Sequence, residues 1–331
     1  MQITVLVNNA QDIQPTQTTA MLIGAAVAQG HRVGIVDVGG LACRADGQPW
    51  GQVRRLTHQT GNLADLMRAI VETPPVAMPL LDTDLLLMRT NPARDCDRTP
   101  AHHFALAIAR RCQDSGVAVV NQPNGLMRAA TKLYLLELPE FTRPKTLVSQ
   151  NRLEILEFIH NLRGPAVLKP LQGTRGSDVF VVSSAEDNNL NQIIDVILRQ
   201  GLVMVQRCIP GAAAGDTRVV VFNGKILQLH GHAAAIRRVP APGDFRSNLH
   251  AGGHAQPAMI TDAMNNVVTA IGPKLVQDGL ALVGLDFIGD QLIEINVFST
   301  GGLRHAEQFT GQSFSDYIIQ SFADRFLLVP V

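Results

Sequence analysis

Gly284-Leu285-Asp286-Phe287-Ile288-Gly289-Asp290-Gln291-Leu292-Ile293-Glu294-Ile295-Asn296 sets two carboxylates and an amide into an otherwise apolar hairpin. Side chains alternate faces along a strand, so Glu294 and Asn296 share a face. A three-residue turn at Gly289-Asp290-Gln291 places Asp286 opposite Glu294, whereas a two-residue turn puts it on the wrong face. Ile288 and Leu292 are then expected beside the carboxylates, with Leu285, Phe287, Ile293 and Ile295 opposite, so neither face reads as solvated. Two unpaired carboxylates in such a place cost roughly several kcal/mol each. A divalent cation removes that cost, which makes Asp286, Glu294 and Asn296 candidate metal ligands. Hard oxygen donors without Cys or His favour Mg²⁺, with Mn²⁺ as the alternative, over zinc. The competing reading is a surface hairpin with incidental acids.

The rest of the 331-residue chain is long enough for two or three packed units. Its 46% hydrophobic and 17% charged content are those of an ordinary globular protein. With 28 basic against 28 acidic residues and no dense basic run, there is no electrostatic case for nucleic acid or an anionic membrane. Cys43, Cys96, Cys112 and Cys208 lack metal-ligand spacing, and nothing before the first strand resembles a signal peptide. Reduced thiols in a cytoplasm are therefore expected. No apolar run approaches the roughly 18 residues of a membrane span. Only five basic residues are lysines: Lys132, Lys145, Lys169, Lys225 and Lys274. A chain that otherwise prefers Arg can keep Lys where a compact ammonium is needed.

Strand and helix alternate through residues 1 to 121, predicting a parallel sheet with helices on its faces. Expected strands are 3–7, 33–37, 84–88 and 117–121, with helices over 18–29 and 99–115 and a small hairpin or excursion from Arg44 to Gly61. Asn8-Asn9-Ala10 stands where a Gly-x-Gly-x-x-Gly would follow the first strand, which argues against a dinucleotide-binding Rossmann domain. Gln122-Pro123-Asn124-Gly125 is a turn cluster and a candidate boundary. Beyond it a helix is expected from Leu126 to Glu137, then a pattern that becomes antiparallel, a helix over 261–278, the acidic hairpin, and a last helix over 312–325.

Lys169 ends a strand before the loop Pro170-Leu171-Gln172-Gly173-Thr174-Arg175-Gly176. Amides of such a loop can approach phosphate oxygens while the ammonium neutralises them, although a plain hairpin turn explains the same residues. Lys132 lies on the preceding helix, where a lysine is usually solvated. Gln206-Arg207-Cys208-Ile209 leaves a buried strand and is either a hinge whose backbone meets an adenine edge or an ordinary connection. Arg218, Arg238, Arg246 and Asn248 form a second cluster, with glycines that would let a loop close. Arg89 follows a buried strand, where α/β sheets open onto ligands. The pairs His102-His103 and His230-x-His232 show no carboxylate partner at useful spacing and read as structural.

Taken in order, Lys132, Lys169 with its glycine loop, Gln206 to Pro210, Asp216-x-Arg218, Arg246-x-Asn248, Gly252-Gly253 and Asp286 with Glu294-x-Asn296 resemble the ATP-grasp superfamily. More narrowly, the chain resembles prokaryotic glutathione synthetases nearly end to end, through Leu87-Met88-Arg89-Thr90-Asn91-Pro92, Leu168-Lys169-Pro170-Leu171-Gln172-Gly173 and Arg246-Ser247-Asn248-Leu249. The resemblance implies a mixed α/β (α+β) ATP-grasp fold: an N-terminal parallel-sheet domain (1–122), a central lid domain (123–205) and a C-terminal antiparallel-sheet domain (206–331) with the metal site. It implies an ATP-dependent carboxylate-amine ligase working through an acyl phosphate, with a peptide and an amino acid as small-molecule substrates, in a dimer or tetramer. Lys132, Lys169, Gly173, Thr174, Arg175, Gly176, Gln206, Arg207, Cys208, Ile209 and Asp216 would hold ATP. Arg218 and Arg238 would stabilise the transferring phosphoryl group. Arg89, Arg246, Asn248, Thr300, Gly301 and Gly302 would face the substrates. After Asn296, however, the chain reads Val297-Phe298-Ser299-Thr300-Gly301-Gly302-Leu303, where the family usually continues Ser-Pro-Thr-Cys, so a different peptide and amine pair is the alternative. A second is a nucleotide-binding protein without ligase activity.

Overall fold

The computed structural model describes residues 1–56, 62–171, 173, 178–241 and 252–327. Its first sheet has the order β4-β3-β2-β1-β5-β6, built from β1 (Gln2–Val7), β2 (Arg32–Cys43), β3 (Pro49–Leu56), β4 (Val76–Pro79), β5 (Leu85–Met88) and β6 (Ala118–Val120). The four strands β2, β1, β5 and β6 run parallel, as the alternation predicts. Within the Arg44 to Gly61 stretch β3 folds back on β2 as the expected hairpin, with residues 57–61 outside the described residues, and β4, further along the chain, adds a second antiparallel strand to this edge of the sheet.

Alternation along β1 sends Ile3, Val5 and Val7 to one core and Leu6 to the other. The first face is covered by α1 (Thr18–Ala28), α2 (Leu63–Glu72) and α9 (Phe314–Leu327), and the second by α3 (Thr99–Asp114) and α4 (Pro123–Arg128). A continuous helix from Leu126 to Glu137 does not form. Thr131 is extended at φ −125°, the Lys132 amide bonds to the Leu171 carbonyl across the chain, and Lys132–Glu137 re-forms as a 3₁₀ helix.

The second sheet, β7-β10-β8-β9, is antiparallel and comprises β7 (Thr146–Ser149), β8 (Ala166–Pro170), β9 (Phe180–Val182) and β10 (Val203–Arg207). With α5 (Arg152–Leu162) and α6 (Leu190–Leu198) it encloses a core of its own, including Ile155, Leu168, Ile194 and Val205. The third sheet is β16-β15-β11-β17-β18: β11 (Asp216–Phe222), β15 (Ala235–Val239), β16 (His254–Pro257), β17 (Leu282–Ile288) and β18 (Gln291–Asn296), with β12 (Lys225–Ile226) on β11. β13 (Gln228–Leu229) and β14 (His232–Ala233) form a separate two-stranded ribbon. Helix α7 (Asp262–Gln277) covers one face, and α8 (Leu303–Thr310) follows the acidic hairpin. Among the described residues no helix is long and apolar enough to cross a membrane.

The first and third sheets share both of their cores, so Leu86 packs in one cluster with Phe287, and Val5 in the other with Val220. Asn121 fastens the junction. Its buried amide donates to the carbonyls of Leu282 (2.9 Å) and Val297 (2.6 Å) and accepts from the Leu282 amide (2.8 Å). Asn121→Ala strands three backbone groups and is expected to cost about 2–4 kcal/mol in urea unfolding. Asn121→Asp, which keeps the acceptor but sets a buried carboxylate oxygen against the two carbonyls, should lose at least as much as the alanine variant.

Candidate active site

The acidic hairpin has the expected partners by a different route. Its turn has two residues, Gly289 (φ +55°) and Asp290, with Ile288 paired to Gln291 and Phe287 to Leu292. A β-bulge then inserts Ile293, and the next pair is Asp286 with Glu294. The bulge supplies the extra residue that a three-residue turn would have supplied, and it moves Leu292 to the core face beside Phe287. It also frees the Ile293 carbonyl, which accepts from Lys169 Nζ at 3.3 Å.

Asp286 is fully buried and engages three side chains. Arg218, opposite it on β11, donates through Nε and Nη2 to its two oxygens, both at 2.6 Å. Arg238 approaches Oδ2 at 2.8 Å while binding Asp216 with a second fork at 2.6 and 2.8 Å. The Asn296 amide donates to Oδ2 at 3.2 Å. Burial alone would raise the Asp286 pKa, but the two guanidiniums override it and hold the carboxyl far below the usual range. Burial likewise opposes the charge on Arg238, and Asp286 and Asp216 reverse that and hold it cationic.

Lys132 and Lys169 both lie within the electrostatic reach of Glu294. Burial lowers both pKa values and the Glu294 carboxylate partly restores them; Lys169, only 7% exposed, falls to about 8. Lys132 Nζ also lies 3.4 Å from the Gly173 carbonyl. Glu294 has no hydrogen-bond or ion-pair partner among the described residues. Among the described residues, four cations (Lys132, Lys169, Arg218, Arg238) thus stand near three carboxylates (Asp216, Asp286, Glu294), an excess of one positive charge in a chain whose formal net charge is zero. Such an excess suits a polyanion.

A divalent cation fits the donor chemistry of this face. Among the described residues Glu294 and the Asn296 side-chain carbonyl oxygen have no hydrogen-bond partner, while Asp286 already shares both oxygens with guanidiniums. Among the described residues no three His, Cys, Asp or Glu side chains converge as a metal site, so the amide of Asn296 is needed to complete a set of three.

The segment after Asn296 threads between the two halves. The Thr300 carbonyl accepts from Arg89 Nη2 (2.9 Å), and Arg89 Nε donates to Thr19 (3.1 Å). Arg89 is 5% exposed, and with neutral acceptors around it burial pulls its pKa down to about 10. Thr300 packs on Gly284, where a Cβ would come within 2.0 Å of its hydroxyl. Gly302 (φ +114°) precedes α8, and a Cβ there would lie 3.5 Å from Arg218 Cδ. The Thr300 to Gly302 turn, Arg89 and Arg218 are therefore neighbours.

At the other end, Gln206 is buried and bonds Thr146 Oγ1 at 3.1 Å. The Arg207 and Cys208 amides are taken by the carbonyls of Lys145 and Pro165, and the Ile209 amide has no partner among the described residues. Thr174, Arg175, Gly176, Arg246 and Asn248 lie outside the described residues. His102 does have a carboxylate: its Nε2 is 2.8 Å from Asp95 Oδ2, seven residues back across one short 3₁₀ turn and the start of α3. Thr19, Gly284 and Asn121 carry contacts that no local motif announces.

Residues 1–127 match the prokaryotic glutathione synthetase N-terminal domain, and residues 131–311 match the prokaryotic glutathione synthetase ATP-grasp domain. The chain belongs to the prokaryotic glutathione synthetase family. It is 33% identical to the glutathione synthetase of Synechococcus elongatus, with 96% of this chain and 97% of that protein aligned. It is 37% identical to the Yersinia pestis glutathione synthetase over 70% of this chain and 69% of that one. Its fold is that of ATP-grasp enzymes: the D-cycloserine synthetase DcsG superimposes with a TM-score of 0.65 at 16% identity, covering 98% of this chain and 99% of that one. The macrocyclase MdnC of Microcystis aeruginosa, bound with the precursor peptide MdnA, gives 0.62 at 15% identity, covering 98% and 100%. Members of this family are ATP-dependent ligases that use a divalent metal, and the chain is one of them.

The depressed Lys169 pKa has a measurable consequence. Between about 8 and the ordinary 10.5 the unfolded chain binds more protons than the folded one, so this group's contribution to stability rises with pH across that window. A phosphate held by Lys169 would bind with the opposite pH dependence, because the ammonium is lost above about 8. Calorimetric titration with ATP should show proton uptake near pH 8 and an affinity that weakens by at most about tenfold per pH unit above it. Lys169→Met is expected to flatten that profile.

Proposed function

We propose that the protein is a glutathione synthetase, which uses ATP to activate the carboxylate of γ-glutamylcysteine as an acyl phosphate and glycine to displace phosphate, forming an amide. The observation that carries this reading is the placement of two buried lysines, Lys132 on the Gly173 carbonyl and Lys169 on the Ile293 carbonyl next to Glu294, with the Arg218–Asp286–Arg238 cluster on the same sheet and the Thr300 to Gly302 turn against it. It gathers phosphate-neutralising ammoniums, oxygen donors and an acceptor loop at one place.

In this reading the two lysines hold phosphate oxygens of ATP, and the Ile209 amide meets the adenine edge. Glu294, Asn296 and a share of Asp286 hold magnesium, with manganese as its substitute, and the metal offsets the negative charge that develops on the phosphates. Arg218, which already touches both the metal-ligand row and the Gly302 turn, stabilises the transferring phosphoryl group, with Arg238 behind it. Arg89, a buried cation among neutral acceptors, takes a substrate carboxylate. A guanidinium so placed binds an anion without first losing a competing ion pair. The amine attacks the acyl phosphate, its proton leaves to solvent or phosphate, and no side chain of the protein forms a covalent bond.

The division at 1–122, 123–205 and 206–331 belongs to the same proposal, supported by the separate core of the second sheet. A cytoplasmic setting is supported by four unpaired cysteines. Self-association as a dimer or tetramer is to be checked by sedimentation.

Phosphate release from ATP is the direct test. Release is expected only when γ-glutamylcysteine and glycine are both present, and release with another peptide or amine instead would overturn the substrate assignment. Glu294→Gln should abolish turnover while leaving the melting curve in place; full activity in that variant would remove Glu294 from the metal set.

A further inference from the structure

A charged network joins three segments behind Lys132. Tyr134 is 2% exposed, and its hydroxyl donates to Asp278 Oδ2 at 2.6 Å. Lys274 lies 3.0 Å from the same oxygen and 2.9 Å from Glu137, with its ammonium 5.0 Å from the centre of the Tyr134 ring. Arg128 closes the ring, reaching Glu137 at 2.6 Å and Asp278 at 3.1 Å. Burial would raise the Asp278 pKa, and the Tyr134 and Lys274 bonds hold it below the usual value.

The 3₁₀ geometry turns this network into a constraint on one lysine. With three residues per turn, positions three apart share an edge. Tyr134 and Glu137 therefore point together at Lys274 and Asp278 at the end of α7. Lys132 and Leu135 share another edge, and from it Lys132 meets the Gly173 carbonyl, within the electrostatic reach of Glu294. Rolling the segment about its axis would break the Tyr134 bond and swing Lys132 together. Beyond Asp278 the chain runs directly into β17 and Asp286, so the network ties Lys132 to the strand that carries the acidic row.

We infer that the hydrogen bond from Tyr134 to Asp278 is a positioning contact that sets Lys132 over the triphosphate site. The inference rests on the ATP-binding role proposed for Lys132. Tyr134 touches no substrate; it acts through the rotation of the 3₁₀ segment.

Tyr134→Phe removes one oxygen and keeps the ring over Lys274. It is expected to raise KM for ATP about five- to twentyfold, with kcat and the KM of the peptide within about twofold. Calorimetric ATP affinity should fall by the same factor. Asp278→Asn, which still accepts the hydroxyl, should retain most of the affinity that Asp278→Ala loses. Lys132→Met, measured alongside, separates the two levels. If it weakens ATP binding and Tyr134→Phe does not, the positioning role is overturned while the ATP site stands. If Lys132→Met leaves ATP binding unchanged, the reading of Lys132 fails and the inference with it. A Tyr134→Phe enzyme whose melting temperature falls while every kinetic constant shifts together would mark the bond as structural only and also overturn it.

Discussion

The site depends on a buried carboxylate that two guanidiniums make tenable. An isolated Asp286 in β17 would favour its neutral form or destabilise the sheet, because removing an ion from water is strongly unfavourable. Arg218 answers both oxygens from the neighbouring strand, and Arg238 adds a second positive charge while remaining tied to Asp216. The pairing is directional as well as electrostatic, since forked donors meet a planar acceptor only in a narrow range of orientations. Two side chains from β11 and one from β15 are thereby fixed relative to β17, and the cationic face that meets Glu294 follows from that arrangement.

How far the hairpin could be read from its residues is instructive. Alternation counts positions, so seven residues between Asp286 and Glu294 tell only that one residue beyond a regular two-residue hairpin must be absorbed. Whether it is absorbed in the turn or in a bulge leaves the pair Asp286 and Glu294 unchanged. The bulge is decided by tertiary contacts: the core accepts Leu292 beside Phe287, and the Ile293 carbonyl meets Lys169 from another sheet. The helix expected from Leu126 to Glu137 fails for a related reason. Its residues favour helix locally, and a carbonyl 39 positions away in sequence, that of Leu171, takes the Lys132 amide.

The fold class and the pairing of Asp286 with Glu294 were legible because strands and acidic pairs are local patterns. Contacts that join distant segments were not. Tyr134 and Asp278 are 144 residues apart, and Asn121 reaches residues 161 and 176 positions away. The scarcity of lysine did point at three useful positions, Lys132, Lys169 and Lys274, without giving the last a role. His102 shows the opposite error, for its carboxylate lies close in sequence but at a spacing that neither a helix nor a strand would bring together.

The contact between Arg89 and Thr300 has a consequence for how such enzymes can be recombined. Arg89 and Thr19 belong to the N-terminal family domain, and Thr300 to the ATP-grasp domain, so the boundary between the two matched regions runs through the site itself. The Thr300 to Gly302 turn is held from one side by the first domain and lies against Arg218 of the second on the other. Modularity here is a property of the sequence and not of the active centre. An exchange of whole domains between relatives carries away half of the turn's support, and the smallest transferable unit is the turn together with its arginines on both sides.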